Sequence, residues 1–428
     1  MSSQALITND RHAREVTGLI GEMSRATSSE QVLKSVVSGL PPEVMAGVQR
    51  ALTAERVELT AMLNAYLEAK RGNLALLKAR AQNDLGEMLI VARIAKSWSQ
   101  KDLARQIGLR EQAVQRYEAD RYRSISLAGF VRVAKALGLN LSADICPNAT
   151  APWMSLPSLD VSAEQAQKVL KHARENGWLE NTDSDENALS QLVRYVAEHV
   201  GSHGKPSLFR TGLVVEHHAD DWSLLCWKAQ VTRQAKATID SRKVKYRPLD
   251  MAWLKDLPGL SAIDGGPLRA RDLLLAHGIV VIVERHVPGM KVDGASFLVD
   301  DIPVIGLTLR RDALDNFWFT LLHEVAHVIL HYRTGLAAGF FDNIETREVD
   351  EMETEANQFA SSLLIPQELW MRSPARIAKT ADTIERFAQR LGISPTVVFG
   401  RIRMERQNYA IFSDKIGSGQ VRKLFFQQ

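Results

Sequence analysis

The sequence predicts an α+β protein that is mostly α-helical, with a small β-sheet confined to its C-terminal part. Three observations support this prediction. Apolar residues recur at helical spacing along most of the 428-residue chain. Three short runs rich in Val, Ile and Leu with strand character lie between residues 279 and 309. An apolar helical segment containing the letters HEVAH follows them, and another helical segment comes after it. A chain of this length accommodates two or three domains.

The composition argues against several classes of protein. The hydrophobic fraction of 45% and the charged fraction of 24% are typical of globular proteins in water. The longest apolar run, LLLAHGIVVIVE, is interrupted by His277 and Glu284 and is too short to cross a bilayer. The N-terminal residues lack the pattern of a secretion signal, and two cysteines cannot build a disulfide framework or a four-thiolate zinc site. We therefore expect a cytoplasmic protein without a membrane partner.

Positive charge is concentrated in one segment. Residues 70–145 contain 14 Lys and Arg against 7 Asp and Glu, a balance of +7, whereas the whole chain carries +3. A segment of this kind indicates a polyanionic partner. A solvated helical face explains such a run equally well, so the fold of the segment has to decide between the two.

Turn signals and composition divide the chain into four expected regions. They are a helical, candidate dimerisation region at 1–84, four short helices at 85–145, a Pro- and Ser-rich linker with connecting helices at 146–264, and the strand-containing domain at 265–428. In the first region one helix is expected to open at Ser28–Ser29, and a longer one to run from Thr53 to Gln82. The apolar face of this longer helix can pack on a helix of the same chain or of a partner chain.

The stretch SWSQKDLARQIGLREQAVQRYEADR predicts a helix-turn-helix arrangement inside the basic segment. Ser99 and Asp102 form a capping pair that opens the first helix. Gly108 permits the sharp turn, and the second helix starts after Arg110. The outer face of the second helix then presents long polar side chains that can reach base edges in a major groove. These are Glu111, Gln112, Gln115 and Arg116.

Three further side chains are expected to contact phosphates, namely Gln100, Arg110 and Arg121. The stretch resembles the XRE (lambda-repressor-like) DNA-binding family in its SQKDLA opening, its glycine turn, its QRYEAD exit and its closing SLAGFVRVAKALGLNL. It departs from the pattern at Arg110, where many members have Ser or Thr as helix cap. The resemblance implies a double-stranded DNA operator as partner. Symmetric operators are usually bound by dimers, so we expect a homodimer.

The segment FTLLHEVAHVILHY places His323 and His327 four residues apart on an apolar helix. Such residues lie on one face about 6 Å apart along the axis, so both imidazoles can reach one Zn²⁺ at about 2.0–2.1 Å. His331 lies about 12 Å from His323 along a straight helix, too far to share the ion, and is expected to be structural or supporting. The motif is short enough to occur by accident in an ordinary buried helix, so the motif alone is only a hypothesis. Since His331 lies too far away, a third metal ligand has to come from another part of the chain.

The later helix EMETEANQFASSLL offers three carboxylates for this role. Its predicted buried stripe consists of Met352, Ala356, Phe359, Ala360 and Leu363. Glu355 lies nearest to the stripe, four residues before Phe359, and a buried carboxylate is costly without a cation. We therefore expect His323, His327 and Glu355 to bind the zinc ion, with Glu351 or Glu353 as the alternative third ligand.

Three protein ligands leave a fourth position for water, as in catalytic zinc sites. Glu324, beside the first histidine, is the candidate general base. The predicted strand GASFLVD, expected at the sheet edge, can pair with an extended substrate peptide. Tyr332 and His286 are candidates for stabilising the oxyanion, although a structural role explains each of them as well.

Two stretches resemble the ImmA/IrrE family of zinc metallopeptidases. They are VDGASFLVDDIPVIGLTLRRDALDNFWFTLLHEVAHVILH and EMETEANQFASSLLIP, and LGISPTVVFGRI resembles the tail of the family. The resemblance implies a zincin-like domain in which His323, His327 and Glu355 hold the metal and Glu324 is catalytic. Members of the family cleave helix-turn-helix repressors, and others carry their own XRE domain and act as regulators or antitoxin-like partners.

The two resemblances together imply a DNA-binding regulator with a zinc-dependent endopeptidase domain. Its substrate would be a regulatory protein in a stress, mobile-element or defence response. The alternative is an antitoxin-like or sensor transcription factor whose metal domain binds a partner, such as a toxin-like protein, without significant proteolysis. The intact ligand set and the adjacent Glu324 favour the first interpretation, and the attached DNA-binding domain favours the second.

Overall fold

The computed structural model describes residues 6–28, 39–81, 85–122, 124–139, 163–179, 188–200, 220–332, 336, 340–342 and 351–426. The chain divides into two compact units. The first comprises Met1–Val32 and Leu52–Ala149, and the second comprises Leu33–Ala51 and Thr150–Gln428. Within the described ranges, no helix combines the length and apolar character needed to cross a membrane. The predicted class, α+β and mostly α, is confirmed.

The first unit is entirely helical in the part of the chain that the structure describes. Its helices are α1 (Asp10–Ala26), the later part of α2 (Pro42–Lys70), α3 (Ala75–Ala81), α4 (Leu85–Ala95), α5 (Gln100–Gln106), α6 (Glu111–Ala119) and α7 (Leu127–Ala136). The single long helix expected from Thr53 to Gln82 is instead two helices, because the chain leaves α2 at Gly72 with a φ of 99°. The helix expected to open at Ser28–Ser29 lies outside the described residues.

Helices α4 to α7 are the four short helices expected in this segment, and α5 and α6 form the predicted helix-turn-helix. Ser99 and Asp102 make a complete capping box at the start of α5. Gly108, with a φ of 69°, permits the turn into α6. Arg110 precedes α6, and its side chain caps no N–H group among the described residues. A buried ion pair between Arg93 on α4 and Glu118 on α6 fixes the second helix to the rest of the unit.

In the ranges that the structure describes, the second unit combines helices with one sheet. Its described elements are α8 (Ala163–Glu175), α9 (Ala188–Val200), α10 (Asp220–Arg242), α11 (Gly266–Ala276), β1 (Val280–Val283), β2 (Gly294–Val299), β3 (Ile302–Leu307), α12 (Leu314–Leu330), β4 (Phe340–Asp342), α13 (Glu351–Leu364), α14 (Gln367–Met371), α15 (Ala381–Leu391), α16 (Pro395–Glu405) and α17 (Val421–Phe426). Short 3₁₀ turns lie at Ala252–Lys255, Pro258–Ala262 and Pro374–Ile377. Helices α8 to α10, expected to connect two domains, share the apolar core of the sheet.

The four strands among the described residues follow the order β1-β3-β2-β4, with β1 parallel to β3 and the other pairs antiparallel. The predicted tight turn between β2 and β3 is present. Asp300 and Asp301 have positive φ angles of 49° and 63°, as a two-residue hairpin of type I′ requires. The expectation that β2 lies at the sheet edge is wrong, because β4 pairs with its first three residues and takes the edge.

The sheet lies between two helices of the second unit. Helix α10 packs on one face and α12, which carries the HEVAH motif, packs on the other. Alternation along β2 sends Ala295, Phe297 and Val299 into the core shared with α10, while Ser296 points to α12. Helix α13 packs along α12. The fold therefore brings one strand and a second helix against the predicted metal-binding helix.

Candidate metal centre

The two predicted histidine ligands lie side by side in the interior of the second unit. His323 and His327 on α12 are both completely buried. Their Nε2 atoms are 3.0 Å apart, so the two imidazoles direct these nitrogens at the same point. Four-residue spacing on a helix produces this arrangement, as the sequence predicts.

Glu353 on α13 brings a carboxylate to the same point. Its Oε2 lies 3.1 Å from Nε2 of His323, and its Oε1 lies 3.4 Å from Nε2 of His327. Among the described residues, these three form the group with metal-ligand geometry. A tetrahedral zinc site with bonds of about 2.0–2.1 Å has ligand-to-ligand edges of about 3.3 Å. The three observed distances fit such a site, and two imidazoles with a carboxylate are a donor set of catalytic zinc.

The pKa shifts of His327 and Glu353 also suit a cation. Burial lowers the pKa of His327 to about 3, so its ring is neutral and has a lone pair to offer at pH 7. Burial opposes ionisation of Glu353, but the close contacts with the His323 and His327 side chains outweigh it and hold the pKa of the carboxyl well below its usual range. Neutral imidazoles and an ionised carboxylate are the forms that bind metal ions.

Glu324 is buried beside the metal group and is held by the sheet. Its side chain is fully buried, and Oγ of Ser296 on β2 donates a 2.7 Å hydrogen bond to its Oε2. Gly294 leaves the room for this carboxylate, since a Cβ atom at that position would lie 2.5 Å from Oε1 of Glu324. Sequence reasoning missed Ser296. The available signal was a hydroxyl within the otherwise apolar strand GASFLV.

The outer face of α6 in the first unit is exposed as predicted. Glu111, Gln112, Gln115 and Arg116 are all exposed, as is Arg110 before the helix. Nε2 of Gln115 donates a hydrogen bond of 3.2 Å to Oε1 of Glu111, which orders the amide on this face.

Two of the residues predicted to contact phosphates, Gln100 and Arg121, contact acidic side chains within the first unit. Nε2 of Gln100 donates to Oε2 of Glu118 at 2.8 Å, and Nε of Arg121 lies 3.1 Å from Oε1 of the buried Glu87. Both side chains thus help to support the helix-turn-helix itself. A phosphate contact from either one would add to this role.

Comparison with known protein families finds matches for two segments of the chain. Residues 275–403 match the family described as the IrrE N-terminal-like domain, a peptidase family, and residues 89–143 match a helix-turn-helix family. The chain combines a helix-turn-helix segment with an ImmA/IrrE-like segment. Both resemblances predicted from sequence motifs are confirmed. No curated protein shows significant similarity to the chain.

Glu355, the expected third ligand, occupies a different place in the IrrE-like domain. Its Oε2 lies 3.4 Å from Nε2 of His331, and its Oε1 lies 3.1 Å from a guanidinium nitrogen of Arg50. The side chain is 41% exposed, against 22% for that of Glu353. Both carboxylates flank the buried stripe of α13, on opposite sides. The packing of α13 along α12 turns the Glu353 side towards the histidines, and this rotation cannot be read from a helical wheel.

The two candidates for oxyanion stabilisation have structural partners in the IrrE-like domain. The hydroxyl of Tyr332 donates a 2.8 Å hydrogen bond to the carbonyl of Asp301 in the β2–β3 turn. Nε2 of His286 lies 2.6 Å from the carbonyl of Met290. The structural explanation offered for both residues agrees with these contacts.

Proposed function

We propose that the chain is a DNA-binding transcriptional regulator whose IrrE-like domain is a zinc-dependent endopeptidase acting on a regulatory protein. One observation supports the enzymatic part above all others. A buried carboxylate, Glu324, is held by Ser296 beside two imidazoles and a second carboxylate whose positions fit one metal ion. This is the combination of groups that metal-assisted amide hydrolysis needs.

His323, His327 and Glu353 would hold the metal. Glu353 thus takes the place that the sequence predicts for Glu355. A zinc ion bound there supplies a Lewis acid that polarises a peptide carbonyl and makes water acidic. Glu324 accepts the proton of the attacking water and delivers it to the leaving amine nitrogen. Ser296 keeps one oxygen of Glu324 engaged, so the carboxylate stays in a fixed orientation while the other oxygen handles the proton.

The regulatory part rests on the exposed polar face of α6. Gln112 and Gln115 can pair with adenine and Arg116 with guanine in a major groove, and the exposed Arg110 can contact a phosphate. A symmetric operator would be bound by two copies of the chain. Replacing Gln112 and Gln115 by Ala should relax sequence preference in a binding-site selection, whereas Arg110→Ala should weaken binding to all sequences alike.

The enzymatic proposal is tested by zinc content together with protein cleavage. The purified chain should contain about one zinc ion, which His323→Ala should remove and Glu324→Gln should retain. Mapping of new protein N-termini in host cells should reveal cleavage products with the wild type but not with Glu324→Gln. Equal cleavage by both proteins would refute the role of Glu324.

A second function is favoured by the fusion to a DNA-binding domain. As an antitoxin-like or sensor transcription factor, the chain would use its metal domain to hold a partner protein without cutting it. Co-purification from the host distinguishes the two functions. A partner that stays intact on Glu324→Gln but is cut by the wild type supports the peptidase. A partner that binds both proteins and remains intact supports the sensor.

A further inference from the structure

A series of polar contacts begins at Nδ1 of His327, on the side of the imidazole ring that faces away from the proposed metal site. Nδ1 of His327 lies 3.1 Å from Nδ1 of His331, the residue that directly follows the last residue of α12. Nε2 of His331 lies 3.4 Å from Oε2 of Glu355 on α13, and Oε1 of Glu355 is paired with Arg50 on α2. These contacts connect a proposed metal ligand to three residues outside the group of ligands, namely His331, Glu355 and Arg50.

These contacts determine which ring nitrogen of His327 and of His331 carries the proton. His327 must offer the lone pair of Nε2 to a metal, so its proton resides on Nδ1 and can be donated to His331. His331 then accepts at Nδ1 and carries its own proton on Nε2, which faces the carboxylate of Glu355. Every contact therefore joins one donor to one acceptor, and the carboxylate at the end can only accept.

Arg50 completes the arrangement from a distant part of the sequence. It lies on the first part of α2, which belongs to the same unit as the metal centre. A Cβ atom on Gly47, three residues earlier, would lie 3.4 Å from the side chain of Leu330 on α12 and 4.0 Å from that of Phe359 on α13. This part of α2 thus packs on both helices that build the metal site and presents Arg50 to Glu355.

We propose that His331 and Glu355 are positioning residues that hold His327 in the tautomer and ring orientation required for metal binding, with Arg50 orienting Glu355. This inference rests on the proposed metal site, since it concerns how one ligand of that site is held. Hydrogen-bond partners of this kind make a metal-bound imidazole a stronger electron-pair donor to the metal. Their loss typically weakens metal affinity by about 10- to 100-fold.

The test is zinc affinity, measured on the full chain by competition with a chromophoric chelator. His331→Phe should bind zinc about 10- to 100-fold more weakly than the wild type. His331→Asn should recover most of that loss, because its side-chain oxygen can accept a hydrogen bond close to the place of Nδ1. Glu355→Ala should lose about tenfold, at the low end of the range since the residue is 41% exposed. Glu351→Ala, an exposed residue on the same helix, is the matched control and should bind like the wild type.

A spectroscopic measurement separates positioning from a general loss of stability. The absorption of bound Co²⁺ reports ligand geometry, and it should change in His331→Phe and return towards the wild-type spectrum in His331→Asn. Should His331→Phe fail to fold, Glu355→Ala carries the test, because its side chain is too exposed to be needed for folding.

The outcomes also distinguish this inference from the proposed function. If the wild type binds zinc and His323→Ala abolishes binding, while His331→Phe and Glu355→Ala bind like the wild type, only the positioning role is overturned. If the wild type binds no zinc at all, the proposed function is overturned and the positioning role with it.

Discussion

Replacement of Glu353 by alanine tests the placement of the third metal ligand most directly. Structural zinc sites with four protein ligands contribute about 10–16 kcal/mol, so one ligand accounts for roughly 2.5–4 kcal/mol. This corresponds to a loss of roughly 100- to 1000-fold in zinc affinity. The Glu353 side chain is 22% exposed, so water can enter the vacated position, and we expect the lower part of this range.

The assay compares Glu353→Ala, Glu355→Ala and Glu351→Ala in chelator competition and in metal analysis after dialysis. Glu353→Ala should lose its zinc on dialysis, Glu355→Ala should retain most of it with weakened affinity, and Glu351→Ala should match the wild type. Circular dichroism checks that all three proteins are folded. A larger loss in Glu355→Ala than in Glu353→Ala would show that α13 is rotated differently and that Glu355 is the ligand.

Three other predictions follow from buried groups. The folded state keeps His327 neutral down to a pKa of about 3, whereas an unfolded histidine protonates near 6.5, so the unfolded state binds the extra proton between these values. Urea titrations of metal-free protein should therefore show the free energy of unfolding falling by about 1.4 kcal/mol per pH unit as pH drops through this window, and His327→Gln should lack this contribution. Gly294→Ala places a methyl group against Glu324 and should reduce cleavage while zinc content stays unchanged; unaltered cleavage would contradict the placement of the base. Glu118→Gln leaves the buried guanidinium of Arg93 without its counter-charge and should destabilise the helix-turn-helix unit by about 3–5 kcal/mol in urea unfolding, whereas exposed Glu111→Gln should not.

Local features of the fold could be predicted from sequence because their causes lie within a few residues. The capping box at Ser99 and Asp102 and the tight turn at Asp300–Asp301 depend on short-range hydrogen bonds and φ angles. The HEVAH spacing likewise fixes two imidazoles on one face whatever packs around them. Each of these predictions is found in the structure.

Features that depend on distant parts of the chain could not be predicted in the same way. Strand β4 has three described residues, too few for an alternating pattern, yet it removes β2 from the sheet edge. The choice between Glu353 and Glu355 depends on how α13 is rotated against α12. Arg50 approaches the metal centre from about 300 residues away in sequence, and no local pattern indicates it.

The position of Glu324 is an argument for catalysis over partner binding alone. An ionisable carboxyl group that is completely buried costs free energy unless it has partners. Here the Ser296 hydroxyl of the sheet donates a hydrogen bond to Glu324, and the absence of a side chain at Gly294 leaves room for the Glu324 carboxylate. A domain that used a metal only to hold a partner would be as stable, or more so, with an apolar residue there, since Glu324 is not among the three side chains with metal-ligand geometry. A proton acceptor next to a metal-activated water gives this costly arrangement a purpose.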